Sequence, residues 1–268
     1  MKISSMQKYV AFGFALIPCF SLADQSEDLA KQLANPVASL ISVPIDFEFD
    51  SNLGPDRDGD RTLLVTKPVV PFSLNEDWNL ITRTIIPFIK LDDIAPGVDD
   101  ESGLGDLQVS LFFSPEALTS GGWIWGAGAI ALLPTASDDS LGNDKWGLGP
   151  TAVALRQQGP WTYGMLANHV WSFAGDDNRS DYDRSFIQPF LTYTTSSAVS
   201  VTLQTESTYD WETKKWSAPL NLVVGKVTEL GGQLVQLRGG VRYWLDSPDG
   251  AGPEDWGFKL AITLLFPK

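Results

Sequence analysis

From Val37 onward the chain is a succession of stretches in which apolar and polar residues take turns one by one, each long enough to cross a lipid bilayer. Alternation puts successive side chains on opposite faces of a strand. A tilted strand needs about 9–11 residues to span the hydrocarbon layer. Twelve strands are expected near 37–49, 61–73, 78–90, 103–113, 122–133, 146–157, 161–173, 184–194, 198–209, 216–228, 233–245 and 256–266. Their connections are of two kinds. "LNED", "SPEALTSG", "QQGP", "TTSS" and "ELGG" are modest turns. Between them lie the longer or more charged "DSNLGPDRDGD", "LDDIAPGVDDES", "PTASDDSLGNDK", "AGDDNRSDYD", "DWETKK" and "DSPDGAGPED". An up-and-down barrel with both chain ends on the short-turn side requires this order.

The two faces differ in kind. Ile41, Val43, Ile45, Phe47 and Phe49 oppose Asp46 and Glu48; Phe258, Leu260, Ile262, Leu264 and Phe266 oppose Lys259 and Thr263. In "LVQLRGGVRYW", Val235, Leu237, Val241 and Tyr243 oppose Arg238 and Arg242. Tryptophans recur near strand ends at Trp78, Trp123, Trp125, Trp146, Trp161, Trp171, Trp216, Trp244 and Trp256. An aromatic ring with a polar tip suits a membrane interface. A soluble sandwich also alternates, but strand length, loop order and placement of tryptophan favour the membrane. The expected fold is all-β: a transmembrane antiparallel up-and-down β-barrel of twelve strands, preceded by a short N-terminal helix or arm.

Three segments follow. Residues 1–23 read as a signal peptide, with Lys2 and Lys8 before the apolar "YVAFGFALIPCF" and a cut expected after Ala23. Pro18 stands where a lipoprotein signal wants a small residue before Cys19. Residues 24–36 read as a periplasmic helix or plug segment, with Ser26 as its cap and Asn35-Pro36 as its stop. Residues 37–268 form the outer-membrane barrel.

The formal net charge is −14, which disfavours nucleic acid, whose phosphates need a basic footprint. The six charged loops hold 22 of the 33 acidic residues, Asp50 among them, so one rim is acidic. Outer-membrane lipid and lipopolysaccharide are the expected surroundings. Oligomeric state is left open.

Few residues suggest chemistry. His169 is the only histidine. Ser172, three residues on, faces the opposite side, so a catalytic pair would need a serine from a neighbouring strand. Asp56, Asp58 and Asp60 alternate like the start of a calcium loop, but glycine is fourth instead of sixth and Lys67 stands where a bidentate Glu belongs. They are weak candidates for a divalent cation. No phosphate loop, dinucleotide fingerprint or zinc spacing is present, and no cofactor is implied. Parity assigns Lys67, Arg83, Asp106, Arg156, Glu206, Arg238, Arg242 and Lys259 to the lumen, together with Asp46 and Glu48.

Several stretches, among them "SVPIDFEFDSNLGP", "SGLGDLQVSLFFSP", "KWGLGPTAVALRQQGPWTYGMLANHVWSFAGD" and "RYWLDSPDGAGPEDWG", resemble outer-membrane transporters grouped with the meta-pathway of phenol degradation. The resemblance spans roughly residues 35–268. It implies a barrel that passes small solutes, aromatic or hydrophobic ones included, and carries no catalytic motif. The expected function is a channel or passive transporter rather than an enzyme. The alternatives are a lipid hydrolase using His169 and a closed structural or surface-binding barrel with acidic loops.

Overall fold

The computed structural model describes residues 21–267, so most of the expected signal peptide lies outside the described residues. Twelve wall strands follow in order: β1 (Ile41–Leu53), β2 (Gly59–Thr66, then Val69–Ser73), β3 (Trp78–Asp92), β4 (Glu101–Leu104, then Leu107–Pro115), β5 (Trp123–Leu133), β6 (Lys145–Gln158), β7 (Trp161–Gly175), β8 (Asp183–Thr194), β9 (Val199–Thr205, then Ser207–Asp210), β10 (Lys215–Leu230), β11 (Gln233–Asp246) and β12 (Trp256–Phe266). Each pairs antiparallel with its neighbours in sequence, and β12 closes on β1 from Ile41–Phe266 to Asp50–Gly257. Closure removes the sheet edge, so the wall satisfies its backbone groups within lipid. Three strands break at Lys67-Pro68, Gly105-Asp106 and Glu206. Pro68 lacks the N–H a ladder needs. Each break carries a charged residue.

The outer face is apolar. Leu64, Phe88, Leu111, Phe113, Leu148, Met165, Leu203, Leu222, Leu237, Val241 and Leu260 are all exposed. A belt of this extent exceeds what soluble monomers leave in water and matches a lipid-facing band. Trp78, Trp123, Trp125 and Trp161 ring it at the short-turn end; Trp146, Trp171, Trp211, Trp216 and Trp256 ring it at the long-loop end. Edge-to-face pairs such as Trp78–Trp125, 5.9 Å between centroids, fix the rings. Trp244 departs from the expected set: it shares the parity of Arg242 and turns inward, where its Nε1–H donates to Asp50 at 2.9 Å.

Helix α1 (Ser21–Leu33) precedes the wall. It starts before Ser26, which therefore lies inside the helix and not at its cap: the preceding "SLADQ" continues the helical turn. The expected stop holds. The Asn35 side-chain oxygen accepts the Val37 N–H at 3.0 Å, and Pro36 cannot extend the helix. Lys31 pairs with Glu27 one turn earlier at 2.7 Å.

Candidate functional site in the lumen

The lumen has two unlike walls. On the side of β1, β2, β11 and β12, reached across the lumen by Glu206 of β9, an ion-pair ladder is buried. Asp46 takes Lys67 at 2.9 Å and Arg238 at 2.7 Å. Glu48 takes Lys259 at 2.8 Å and Arg242 at 2.6 Å. Glu206 takes Lys259 at 2.6 Å. Asp50 takes Arg61 at 2.9 Å and Arg242 at 3.1 Å. Asn221 Oδ1 accepts a further Arg242 N–H at 3.0 Å. Carboxylates and cations taken this far from bulk water persist only when each has partners, and here each buried acid meets at least two cations, Glu206 through a second contact to Arg242 at 3.6 Å.

On the side of β3 to β8 the inward residues are mixed: apolar clusters stand among polar side chains such as Asn79, Ser110, Thr151, Thr162 and Thr192. Ile81, Phe112, Val153, Leu155, Leu166 and Phe190 form one cluster around Val37 of the N-terminal arm. Ile130, Leu132, Val170 and Tyr182 form another toward the long loops. Inside the lumen a cavity of about 190 Å³ is bounded by charged Asp46, Lys67, Arg83, Arg238 and Glu206, by apolar Val69, Phe190 and Val223, and by neutral polar side chains such as Gln188, Thr202 and Gln204. Leu33, Ala34 and Pro36 bound it toward the short-turn mouth.

The N-terminal segment lies across that mouth. Leu29 and Ala30 are buried against Ala38, Leu40, Ala198, Val227 and Leu265. On the opposite wall the Gln157 amide donates to the Lys31 carbonyl at 2.8 Å. Asn79 of β3 reaches Ser39 at 3.2 Å.

Of the residues assigned to the lumen from parity, Lys67, Arg83, Glu206, Arg238, Arg242 and Lys259 gather in this ladder or at the cavity. Arg83 differs from the rest: among the described residues no carboxylate lies within ion-pair distance of it. Asp106 points inward but is occupied. It accepts the backbone N–H groups of Thr135 at 3.2 Å, Ala136 at 3.2 Å and Asn143 at 2.7 Å, tying loop 134–144 to the wall. Arg156 is a correction. In β6 the buried set is Gly147, Thr151, Val153 and Leu155, so Arg156 falls with exposed Leu148, Ala152 and Ala154 on the outside, opposite Trp123. Its long stem lets the guanidinium reach the headgroup layer from there.

Asp50 is a residue that sequence reasoning missed. Its place at the head of the first charged loop assigns it to the acidic rim, yet it is fully buried in the ladder. Its even number, continuing Asp46 and Glu48, is the signal that could have placed it. Asp56 and Asp58 are exposed, and among the described residues no His, Cys, Asp or Glu cluster is placed to hold a metal. His169 faces outward beside Trp171 and has no part in the lumen.

A family model described as "Putative MetA-pathway of phenol degradation" matches residues 43–247. No curated protein matches the chain. Among solved structures, the COG4313 outer membrane channel from Pseudomonas putida F1 is similar with a TM-score of 0.66 at 15% identity, over 85% of this chain and 96% of that one. Outer membrane phospholipase A from Escherichia coli is similar with a TM-score of 0.50 at 12% identity, over 86% of this chain and 99% of that one. At such identities the likeness shows the barrel fold.

Proposed function

Because the chain belongs to the family of the MetA pathway of phenol degradation, we infer that it is a passive outer-membrane channel for small solutes that combine an apolar body with a polar or charged group. The observation that carries this reading is one cavity that brings apolar Val69, Phe190 and Val223 together with charged residues of the ion-pair ladder and Arg83. A ring or short chain can slide along Phe190 and Val69 while its polar end exchanges hydrogen bonds with Arg83, Lys67 or Arg238. The volume, about 190 Å³, is below the roughly 300–1,000 Å³ of sites for drug-sized ligands, which restricts the solute to about one ring. The similar Pseudomonas putida barrel is an outer membrane channel, and this supports the same role. Outer-membrane lipid and lipopolysaccharide surround the wall.

In this reading residues 24–36 are a plug. The helix crosses the periplasmic mouth and is held by a small apolar contact and a few hydrogen bonds, a weak attachment compared with the wall ladder. Single-channel recording in planar bilayers tests both claims. The full chain should conduct in small or brief steps, and deletion of 24–36 should enlarge them several-fold. Silence from both proteins, each folded by its gel shift between boiled and unboiled samples, would point to a closed structural barrel.

A further inference from the structure

One polar cluster stands on the outside of the wall. His169 of β7 and Ser185 of β8 are direct cross-strand partners. Ser185 Oγ lies 2.7 Å from His169 Nδ1. Asp183, the adjacent outward residue of β8, places Oδ1 3.0 Å from His169 Nε2. The Trp211 indole N–H donates to Ser185 Oγ at 2.9 Å. The imidazole also packs on Trp171, 4.0 Å between ring centroids. Hydroxyl, imidazole and carboxylate thus converge on a surface where polar groups are costly. Their depth is set by their neighbours. Trp171, Trp211 and Trp216 mark the interface at the long-loop end, the boundary between headgroups and acyl chains. The ester bonds of acylated lipids lie in that boundary.

We propose that Ser185, His169 and Asp183 form an acyl-ester hydrolase site on the outer wall, acting on lipid of the outer leaflet. Asp183 beside Nε2 favours the proton on that nitrogen and leaves the Nδ1 lone pair to the Ser185 hydroxyl. Ser185 Oγ attacks the ester carbonyl carbon as its proton passes to Nδ1. The tetrahedral adduct collapses, the C–O bond to the alcohol breaks, and the departing oxygen takes the proton from Nδ1. Water from the extracellular side then attacks the acyl-serine ester, gives a proton to Nδ1, and releases the fatty acid as Ser185 recovers its hydrogen. The sum is ester plus water to acid plus alcohol. The two ring nitrogens exchange the parts they play in the chymotrypsin-type arrangement; such triads are defined by roles and geometry, and either nitrogen can serve as the base. The Asp183 contact lies off the N–H axis, and catalytic hydrogen bonds are often loose until substrate is bound. This site is separate from the lumen and stands or falls independently of the channel reading.

The test uses the full chain in mixed micelles, with phosphatidylethanolamine in one arm and lipid A in the other, and measures fatty-acid release. A fluorophosphonate probe with peptide mapping measures whether Ser185 is nucleophilic. The expected result is a probe adduct on Ser185 in the wild type and release that falls about 100-fold or more in Ser185→Ala and His169→Ala. Asp183→Asn, a change at a positioning residue, should lower release and alter its pH profile. The arm that releases fatty acid identifies the lipid. Conductance of Ser185→Ala should match the wild type, which shows that the barrel is intact. Absence of the Ser185 adduct, or absence of Ser185-dependent release from both lipids, overturns the proposal and leaves the channel reading untouched.

Discussion

Two arginines of the same lumen make opposite predictions. Arg242 is 3% exposed and holds Glu48 and Asp50 together, with Trp244 closing over them. Arg242→Ala leaves two buried carboxylates short of a cation, a loss of about 3–5 kcal/mol. Urea unfolding in detergent should show this as a large drop in midpoint; a shift within error would mean that water already screens the ladder. Among the described residues, Arg83 makes no ion pair with a carboxylate. Arg83→Ala should change stability by no more than about 0.5 kcal/mol, yet alter ion passage, because its guanidinium faces the cavity. The sequence made most of this set legible, since Lys67, Glu206, Arg238, Arg242 and Lys259 are charges on strands whose other face is plainly apolar. It left part of the opposite wall unread. Phe190 points inward from a strand that is apolar on both faces, where alternation carries no signal, whereas Ile81 and Phe112 share the inward parity of Arg83 and Ser110. Arg156 misled for the related reason that a charge near a strand end can face outward and still reach water. Ser185 was hidden because nothing in the spacing of one strand reveals its partner on the next.

At the level of elements, the N-terminal segment is the part held least firmly. Its buried residues are few and small, chiefly Leu29 and Ala30, while every wall strand is bonded on both sides. Elements with few buried contacts open most readily. The only cysteine, Cys19, precedes the expected cut, so a cysteine pair can be introduced without competitors. Ala30→Cys with Val227→Cys links two members of one cluster. Oxidation should hold conductance at its low level and reduction should restore the opening events; identical traces in both states would refute a moving plug. The acidic loops offer a second prediction. The Ser140 backbone N–H and hydroxyl hold Asp138 below the usual carboxylate range, and Lys145 and then Ser172 do the same for Asp181. A lowered folded value means that the carboxylate favours the ordered loop above the unfolded pKa, about 3.9, and that this support is lost as pH falls through the lowered value. Amide protection in 134–144 and 176–182, normalised to intrinsic exchange, should therefore decline below about pH 4 before the wall strands lose theirs. Simultaneous loss would show that the loops draw their order from the barrel alone.

At the scale of the whole molecule, charge is sorted by location. The chain carries −14 overall, and its acids crowd the long-loop rim. The ladder reverses the balance: Arg61, Lys67, Arg83, Arg238, Arg242 and Lys259 face Asp46, Glu48, Asp50 and Glu206, an excess of two cations within the wall. The rim and the interior should then act on ions over different distances. The screening length is about 10 Å at 0.1 M salt and about 3 Å at 1 M, so rim charges in open water lose their reach at high salt. Interior charges meet a permeating ion at contact, where salt screens little. Reversal potentials across a KCl gradient, measured on the chain lacking 24–36, should show anion preference that persists or grows as the mean concentration rises from 0.1 to 1 M. Arg83→Glu should weaken or invert it at both concentrations, because it replaces a cation at the cavity with an anion. Neutralising Asp56, Asp58 and Asp60 at the rim should matter only at 0.1 M. Cation preference that survives 1 M salt would mean that the paired ladder presents its carboxylates, and not its arginines, to the solute path.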